Sequence, residues 1–359
     1  MRLHLVGGFL GSGKTTAIIA AARQLMRQGK SVGVITNDQG RYLVDTAFYR
    51  ASDIPAVEVT GGCFCSHYDD LEDQLEHLVA AYNPDIIFAE AVGSSADLVG
   101  AVARPLRRLP QIGPGAISLT VFADSRLLYR RLRDEPLPFS DEVLYIFDKQ
   151  IEGAGLLVVN KIDLLPAGKV EELKTLLKGR AYLLQNTLAE QGVGNWLAYL
   201  EPGDFILPGK SPQMDYESYG RAEAALAWLD EAVELETAPG REKQVVESLI
   251  RAILAGIGRR GGTVAHLKFW VRSGGLERKI SFPYLEEPGW EDQLPESGTG
   301  RVALLVNARV ELAAEALRQV FREALAGSGA AYREADISCF RPAQPIPTHR
   351  SGSSAVSLE

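Results

Sequence analysis

Gly8-Phe9-Leu10-Gly11-Ser12-Gly13-Lys14-Thr15 stands directly behind the short apolar run Leu3-His4-Leu5-Val6, and this order decides the reading of the chain. Glycines at 8, 11 and 13 let successive backbone N–H groups curl round an oxyanion, a lysine serves terminal phosphates, and a hydroxyl suits magnesium. Lys14 and Thr15 supply the last two groups, and Ser12 and Thr16 belong to the same phosphate-binding stretch. Ala17 to Leu25 are helix formers with apolar positions at helical spacing, so the loop opens onto a helix N-terminus whose dipole favours anions. The competing reading is a glycine-rich turn without chemistry. Strand, loop and helix in this order favour phosphate.

Outward from the loop, strand-like apolar runs alternate with amphipathic stretches at Ser31–Thr36, Ala56–Val59, Asp85–Ala89, Ala116–Phe122, Gly155–Asn160 and Ala181–Leu184. Such alternation predicts an α/β fold, a mostly parallel sheet flanked by helices. Near Glu201–Pro212, prolines and glycines break the pattern. Beyond it the spacing predicts helices over Tyr219–Leu235, Glu242–Ile257 and Leu312–Leu325, with strands at Val264–Val271, Leu276–Phe282, Arg301–Ala308 and Tyr332–Ser338. The expected domains are therefore 1–205 around the phosphate loop, 206–262 as a helical connector, and 263–350 as a smaller α+β unit. Residues 351–359, rich in serine, read as a tail without stable structure.

At 359 residues the chain exceeds the size at which single cores stop growing, and 46% hydrophobic residues supply two cores. A net charge of −8 argues against nucleic acid as a partner. No apolar run approaches the about 20 residues that span a bilayer, and the N-terminus leads into the glycine loop instead of a cleavable apolar region, so a cytoplasmic location without membrane contact is expected. Three cysteines, two of them one residue apart, are no disulfide framework.

Asn160-Lys161-Ile162-Asp163 follows the apolar strand Leu156–Val159, where the ligand edge of an open α/β sheet is expected. The aspartate can accept two hydrogen bonds from the ring N–H and exocyclic amine of guanine, which adenine cannot match. An ordinary polar helix start would also use Asn and Asp. Paired with the phosphate loop, the tetrad points to GTP. Glu90 ends a strand ahead of Gly93, which lets backbone approach the terminal phosphate, and its carboxylate can hold magnesium's water shell or orient a water. Asp38 and Asp45, in the polar stretch Asn37–Asp45, are candidates for a loop that senses the γ-phosphate; an ordinary solvated loop reads equally well.

The most unusual text is Glu58-Val59-Thr60-Gly61-Gly62-Cys63-Phe64-Cys65-Ser66-His67. Cys63 and Cys65 can converge on a borderline cation such as Zn²⁺ or another transition metal, with Glu58 and His67 adding oxygen and nitrogen ligands. Two buried apolar cysteines are the other reading. His4, His77, His266 and His349 show no ligand spacing among themselves and read as ordinary core or surface histidines.

Together these residues resemble the CobW-type GTPases, whose relatives include the urease and hydrogenase nickel-insertion GTPases. The resemblance rests on five motifs in order: Gly8–Thr16, Asn37-Asp38-Gln39-Gly40 through Asp45, Gly61–Cys65, Glu90–Gly93 and Asn160–Asp163. The C-terminal unit and its ending, Phe340-Arg341-Pro342 to Pro347-Thr348-His349-Arg350, are similar to that family's C-terminal domain through weaker motifs. The resemblance implies a P-loop NTPase fold of the dimerising kind, magnesium-dependent hydrolysis of GTP, and metal handling at a C-x-C-C motif beside the switch regions. By position, Lys14 and Thr15 would serve phosphate and magnesium, Asp45 and Glu90 the switch and catalytic end, and Asp163 the base.

One departure stands out: Ser66 occupies the third cysteine position, and a hydroxyl is a poor zinc ligand beside thiolates. A two-thiolate site completed by His67 or Glu58, a weaker transient site, and a GTPase that has lost metal transfer all fit. The expected activity is GTP hydrolysis by a metallochaperone or metal-insertion GTPase of the zinc or cobalt class, acting as a homodimer on a client metalloprotein or corrinoid-related protein. The alternative is a GTP-driven regulatory switch for such a protein without metal transfer. A small-molecule kinase is disfavoured because no acceptor-binding motif is visible.

Overall fold

Apolar side chains on both faces make β1 (Arg2–Gly8) a central strand: Leu3 and Leu5 face one core, Val6 the other. In the computed structural model, which describes residues 1–40, 44–110, 112–113, 115–189, 192–203, 207–208, 210–284 and 289–349, this strand anchors a sheet of seven parallel strands. After it come α1 (Lys14–Arg27), β2 (Val32–Asp38), α2 (Val44–Arg50), β3 (Ala56–Thr60), α3 (Tyr68–Tyr82) and β4 (Ile86–Glu90). A π-helical turn leads into α4 (Arg104–Leu106), followed by β5 (Ile117–Asp124), α5 (Ser125–Leu132), α6 (Asp141–Glu152) and β6 (Leu156–Asn160). The unit closes with α7 (Ala167–Leu176), β7 (Tyr182–Leu184) and α8 (Gly194–Leu200). Strand order is β3-β2-β4-β1-β5-β6-β7. The order of connection reverses at β1, so the crevice beyond its carboxyl end is where such sheets take ligands. The P-loop α/β fold read from the sequence is the one present, with expected strands and observed ones differing by one or two residues at their ends.

The two faces of this sheet carry separate cores. On one, α1 and α8 pack over Val6, Phe88 and Phe122; the other runs on toward the second half of the chain. Trp196 of α8 is fully buried, meeting Phe122 edge-on at 5.0 Å and donating its indole N–H to Thr120 Oγ1 at 3.1 Å.

A second, antiparallel sheet has the order β10-β9-β11-β8-β12, formed by β8 (Leu226–Glu236), β9 (Thr263–Ser273), β10 (Leu276–Pro283), β11 (Arg301–Glu311) and β12 (Ala331–Phe340). Two helices, α10 (Glu242–Arg259) and α11 (Ala314–Ala326), cover one face. Ahead of β8, α9 (Tyr216–Ala225) leaves the first unit. The expected helix over Tyr219–Leu235 is therefore half wrong: it stops at Ala225 and Leu226 begins a strand. The reason lies in the run Leu226-Ala227-Trp228-Leu229, which is apolar on both faces because Leu226 and Trp228 enter the first core while Ala227 and Leu229 enter the second. With both faces buried, the period of two that marks a strand is hidden. The second sheet thus draws a strand from the stretch expected to be a helical connector. The boundary expected at 205/206 and the tail 351–359 lie outside the described residues. Among the described residues no helix is long and apolar enough to cross a membrane.

Trp196→Ala removes the largest side chain of the α1/α8 core and leaves a cavity. The expected loss is about 3–5 kcal/mol, read as a lower denaturant midpoint for the first unit by tryptophan-independent circular dichroism.

Candidate functional site

Backbone geometry shapes the phosphate loop first. Gly8 has φ of 132°, and a Cβ there would overlap the Phe122 carbonyl of the neighbouring strand; Gly13, with φ of 91°, caps α1 against the Asn160 amide. Lys14 is buried at the first turn and donates to the Gly8 carbonyl at 2.6 Å and to the Phe9 carbonyl at 3.3 Å. Burial pushes Lys14 down to about 8, against the pull of the Glu90 carboxylate. Beside it, Thr15 Oγ1 donates to Glu90 Oε1 at 2.7 Å while Tyr49 of α2 donates to Glu90 Oε2 at 2.7 Å. Burial, then the nearby Asp45 carboxylate, raise the Glu90 carboxyl. Thr15 and Glu90 bring hard oxygen donors together at the loop, the donor chemistry that magnesium prefers.

At the other end, Asn160 closes β6 and braces the loop. Its Nδ2 donates to the Ser12 carbonyl at 3.0 Å, and its Oδ1 accepts from Thr187 N at 3.2 Å and Thr187 Oγ1 at 2.8 Å. Lys161 adopts the left-handed region with φ of 58°, and its ammonium lies 3.5 Å from Asp124. Asp163 sits exposed on the following turn. Gln150 of α6 donates to the carbonyls of Gly93 and Ser95 at 3.0 and 2.9 Å, which fixes the segment after Glu90, and Gly93 is packed against Leu10. Gly11, Gly13, Lys14, Thr15, Thr16, Asp45, Glu90, Gly93, Asn160, Lys161 and Asp163 all line one cavity of about 400 Å³.

The roof of that cavity comes from the second sheet, which sequence reasoning does not place there. One face of β10-β9-β11 carries Lys279 and Ser281, His266 and Lys268, and Asn307 and Arg309, in register with one another. The opposite face, with Leu267, Phe269, Ile280, Phe282, Val306 and Ala308, packs under the helices. The polar face presses on the phosphate loop so closely that a Cβ on Gly11 would lie 2.6 Å from Pro283. Asp45 binds both Lys268 and, at 2.8 Å, Lys279. Burial would raise the Asp45 carboxyl, but the two ammonium groups hold it well below its usual range. Arg309 reaches Asp38 at 2.7 Å and Asp230 at 2.9 Å and stacks on Trp228. Asn307 Oδ1 accepts from Val44 N at 3.0 Å, capping α2 from across the joint. A partial signal exists in the sequence: two neighbouring strands each place a basic residue between apolar ones, Lys268 between Leu267 and Phe269 and Arg309 between Ala308 and Val310.

The cysteine segment is tied to the same edge through Asn37, at the end of β2. Its Nδ2 donates to the carbonyls of Val59 and Gly62 at 3.1 and 2.7 Å, and its Oδ1 accepts from Phe64 N at 3.0 Å and Val92 N at 3.5 Å. Cys63 and Cys65 are buried and joined in a disulfide, where two free thiols were expected. The remaining expected ligands are engaged elsewhere: Glu58 pairs with Arg50 at 3.6 Å, and His67 Nδ1 lies 3.0 Å from Ser66 Oγ. Among the described residues no three His, Cys, Asp or Glu side chains gather as a metal-holding group. Thr348, near the C-terminal end, donates its N–H to the Cys65 carbonyl at 2.9 Å and its hydroxyl to that of Ser66 at 3.2 Å. Residues 41–43 of the expected sensing stretch lie outside the described set.

Comparison with known proteins adds three findings. A family model described as the CobW/HypB/UreG nucleotide-binding domain matches residues 2–183. The chain is 28% identical over 198 residues to a zinc chaperone CobW from Sinorhizobium sp, a match over 49% of this chain and 55% of that one, so it spans little more than half of the relative's length. Among solved structures it resembles HypB from Helicobacter pylori in complex with nickel (TM-score 0.40, 15% identity, 59% of this chain and 91% of that one). It also resembles Zn(II)-bound YjiA GTPase from E. coli (TM-score 0.37, 15% identity, 89% and 98%).

Glu223 of α9 lies buried beneath the sensing stretch and accepts from Gln39 Nε2 at 3.2 Å. Burial pushes its carboxyl from 4.5 up to about 7, against that hydrogen bond. Between those values the folded chain keeps a proton that the unfolded chain has lost, so this group's contribution to stability falls as pH rises through the window and levels off above it. Glu223→Gln is expected to be more stable than the parent by on the order of 2 kcal/mol near pH 8, the gap closing toward pH 5, as checked by denaturant unfolding across that range.

Proposed function

The chain belongs to the CobW/HypB/UreG family, and from that premise we propose that it is a magnesium-dependent GTPase whose hydrolysis drives metal handling. The observation that carries the reading is one cavity lined by Gly11, Gly13, Lys14, Thr15, Thr16, Glu90, Asn160, Lys161 and Asp163. Lys14 leaves its resting place on the Gly8 carbonyl for the β- and γ-phosphates, and the loop amides complete the cradle. Thr15 and Glu90 hold magnesium, which neutralises charge on the phosphates when bound. Asp163, exposed at the rim, accepts the guanine donors, while Asn160 holds base loop and phosphate loop at a set distance. Asp45 and Glu90 stand at the hydrolytic end.

Zinc is the cargo class that the matched relative's name suggests, and Cys63 and Cys65 are its proposed ligands here. Cysteine sulfur binds zinc as the thiolate, so the disulfide must first take two electrons from an external thiol reductant. Asn37 supplies the coupling: it borders the nucleotide cavity and carries the hydrogen bonds that position Gly62 and Phe64. A homodimer and a client metalloprotein belong to the same proposal. The disulfide and the absence of a three-ligand group among the described residues favour a second reading, a GTP-driven switch that acts on a partner without moving metal.

Lys14→Ala is expected to lower GTP turnover about a hundredfold or more, and Asp163→Ala to abolish preference for guanine over adenine nucleotides; phosphate release from each triphosphate checks both. Equilibrium dialysis with zinc separates the two cargo readings. Reduced protein is expected to retain one zinc per chain with GTP-dependent affinity, and oxidised protein or the Cys63→Ala/Cys65→Ala variant none. Equal retention by all three would leave only the switch.

A further inference from the structure

Charge is balanced unevenly under the roof. Arg309 has two carboxylate partners, Asp38 and Asp230, whereas among the described residues Lys268 and Lys279 share one ion-pair partner, Asp45. Both lysine side chains are nearly buried, at 12% and 10% exposure, and they lie close enough to Lys14 to depress its affinity for a proton. Lys14, Lys268 and Lys279 thus line one space beside the phosphate loop, with Asp45 and Glu90 among them and Asp38 acting on Lys268 as well. Gathering three ammonium groups there is costly, and a purely structural contact would be served as well by apolar side chains. Direction agrees with charge: Lys268 and Ser281 are cross-strand partners, and in the next pair on that face, His266 and Pro283, the proline lies against Gly11.

Building on the GTPase reading, we propose that Lys268 and Lys279 are phosphate ligands supplied in cis by the second sheet, held by Asp45 until the terminal phosphate of the nucleotide displaces it. The exchange needs no covalent step. An incoming phosphate oxygen takes the N–H donors that Asp45 now accepts, and the carboxylate is repelled by the same anion. Release of Asp45 frees one of the contacts that hold α2 to the roof, and α2 carries Tyr49, whose hydroxyl rests on Glu90. The second domain thereby distinguishes triphosphate from diphosphate, and it passes the difference to the magnesium end through Tyr49 and Glu90.

The test is the ratio of affinities for a non-hydrolysable GTP analogue and for GDP, titrated with fluorescent forms of each and magnesium present. In Lys268→Ala/Lys279→Ala the ratio is expected to fall about tenfold or more relative to the parent. Asp45→Asn, which removes the internal competitor, is expected to raise it about threefold or more. An unchanged ratio in the double variant, or a lower ratio in Asp45→Asn, overturns the proposal. Should the double variant fail to fold, Lys279→Ala alone is expected to lower the ratio and Asp45→Asn to raise it, and an unchanged ratio in the first or a lower one in the second overturns the proposal just as well. Failure of the underlying reading looks different: a parent that binds adenine nucleotides in preference refutes guanine selectivity, and the ratio is then read with the adenine pair. A parent that binds neither overturns both.

Discussion

A sheet face bearing Lys268, Lys279 and Arg309 cannot be buried against apolar surface; each charge would cost several kcal/mol without a partner. The carboxylates of Asp38 and Asp45 meet that requirement from the other unit, with Asp230 beside Arg309. Everything else about the joint follows from this pairing. Because Asp38 ends β2 and Asp45 opens α2, the acidic partners stand at the carboxyl edge of the parallel sheet, beside the crevice that its strand order creates. The contact that joins the two sheets and the wall of the ligand cavity are consequently the same set of atoms. In this chain, interdomain adhesion and ligand recognition cannot be varied independently.

The cavity floor shares groups in the same way. Glu90 receives a hydroxyl on each carboxylate oxygen, one from the phosphate loop and one from α2, so a side chain buried in the first sheet senses both. Asn160 serves in parallel at the base end, joining Ser12 to Thr187. Short polar side chains hydrogen-bonded at both ends tie the parts of such a site together.

Much of this is legible in the sequence. The phosphate loop, the parallel strands and the Asn160–Asp163 turn are written in local patterns: glycines where φ is positive, apolar runs of strand length, polar residues at strand ends. What escapes is what local pattern cannot carry. The first half of β8 hides its alternation because both its faces are buried, each by a different core, while Val233 and Leu235 against Glu234 and Glu236 still show the period of two. Lys268 and Arg309 alternate with apolar residues as they would in a half-solvated sheet, Lys279 follows Glu277 and Arg278 as on an exposed strand, and nothing nearby in the chain says that another unit covers them. His266 goes unnoticed because a ligand-spacing argument asks only about other histidines. The Cys63–Cys65 disulfide escapes because the spacing reads as thiolates or apolar core; Glu58 and His67 are engaged by Arg50 and Ser66.

Asn37 has two amide hydrogens and two carbonyl lone pairs, and all four are engaged by backbone groups of the cysteine segment and of the strand-end segment at Val92. A joint with no spare valence cannot creep. Displacing the cysteine segment therefore costs hydrogen bonds at the same side chain that borders the cavity.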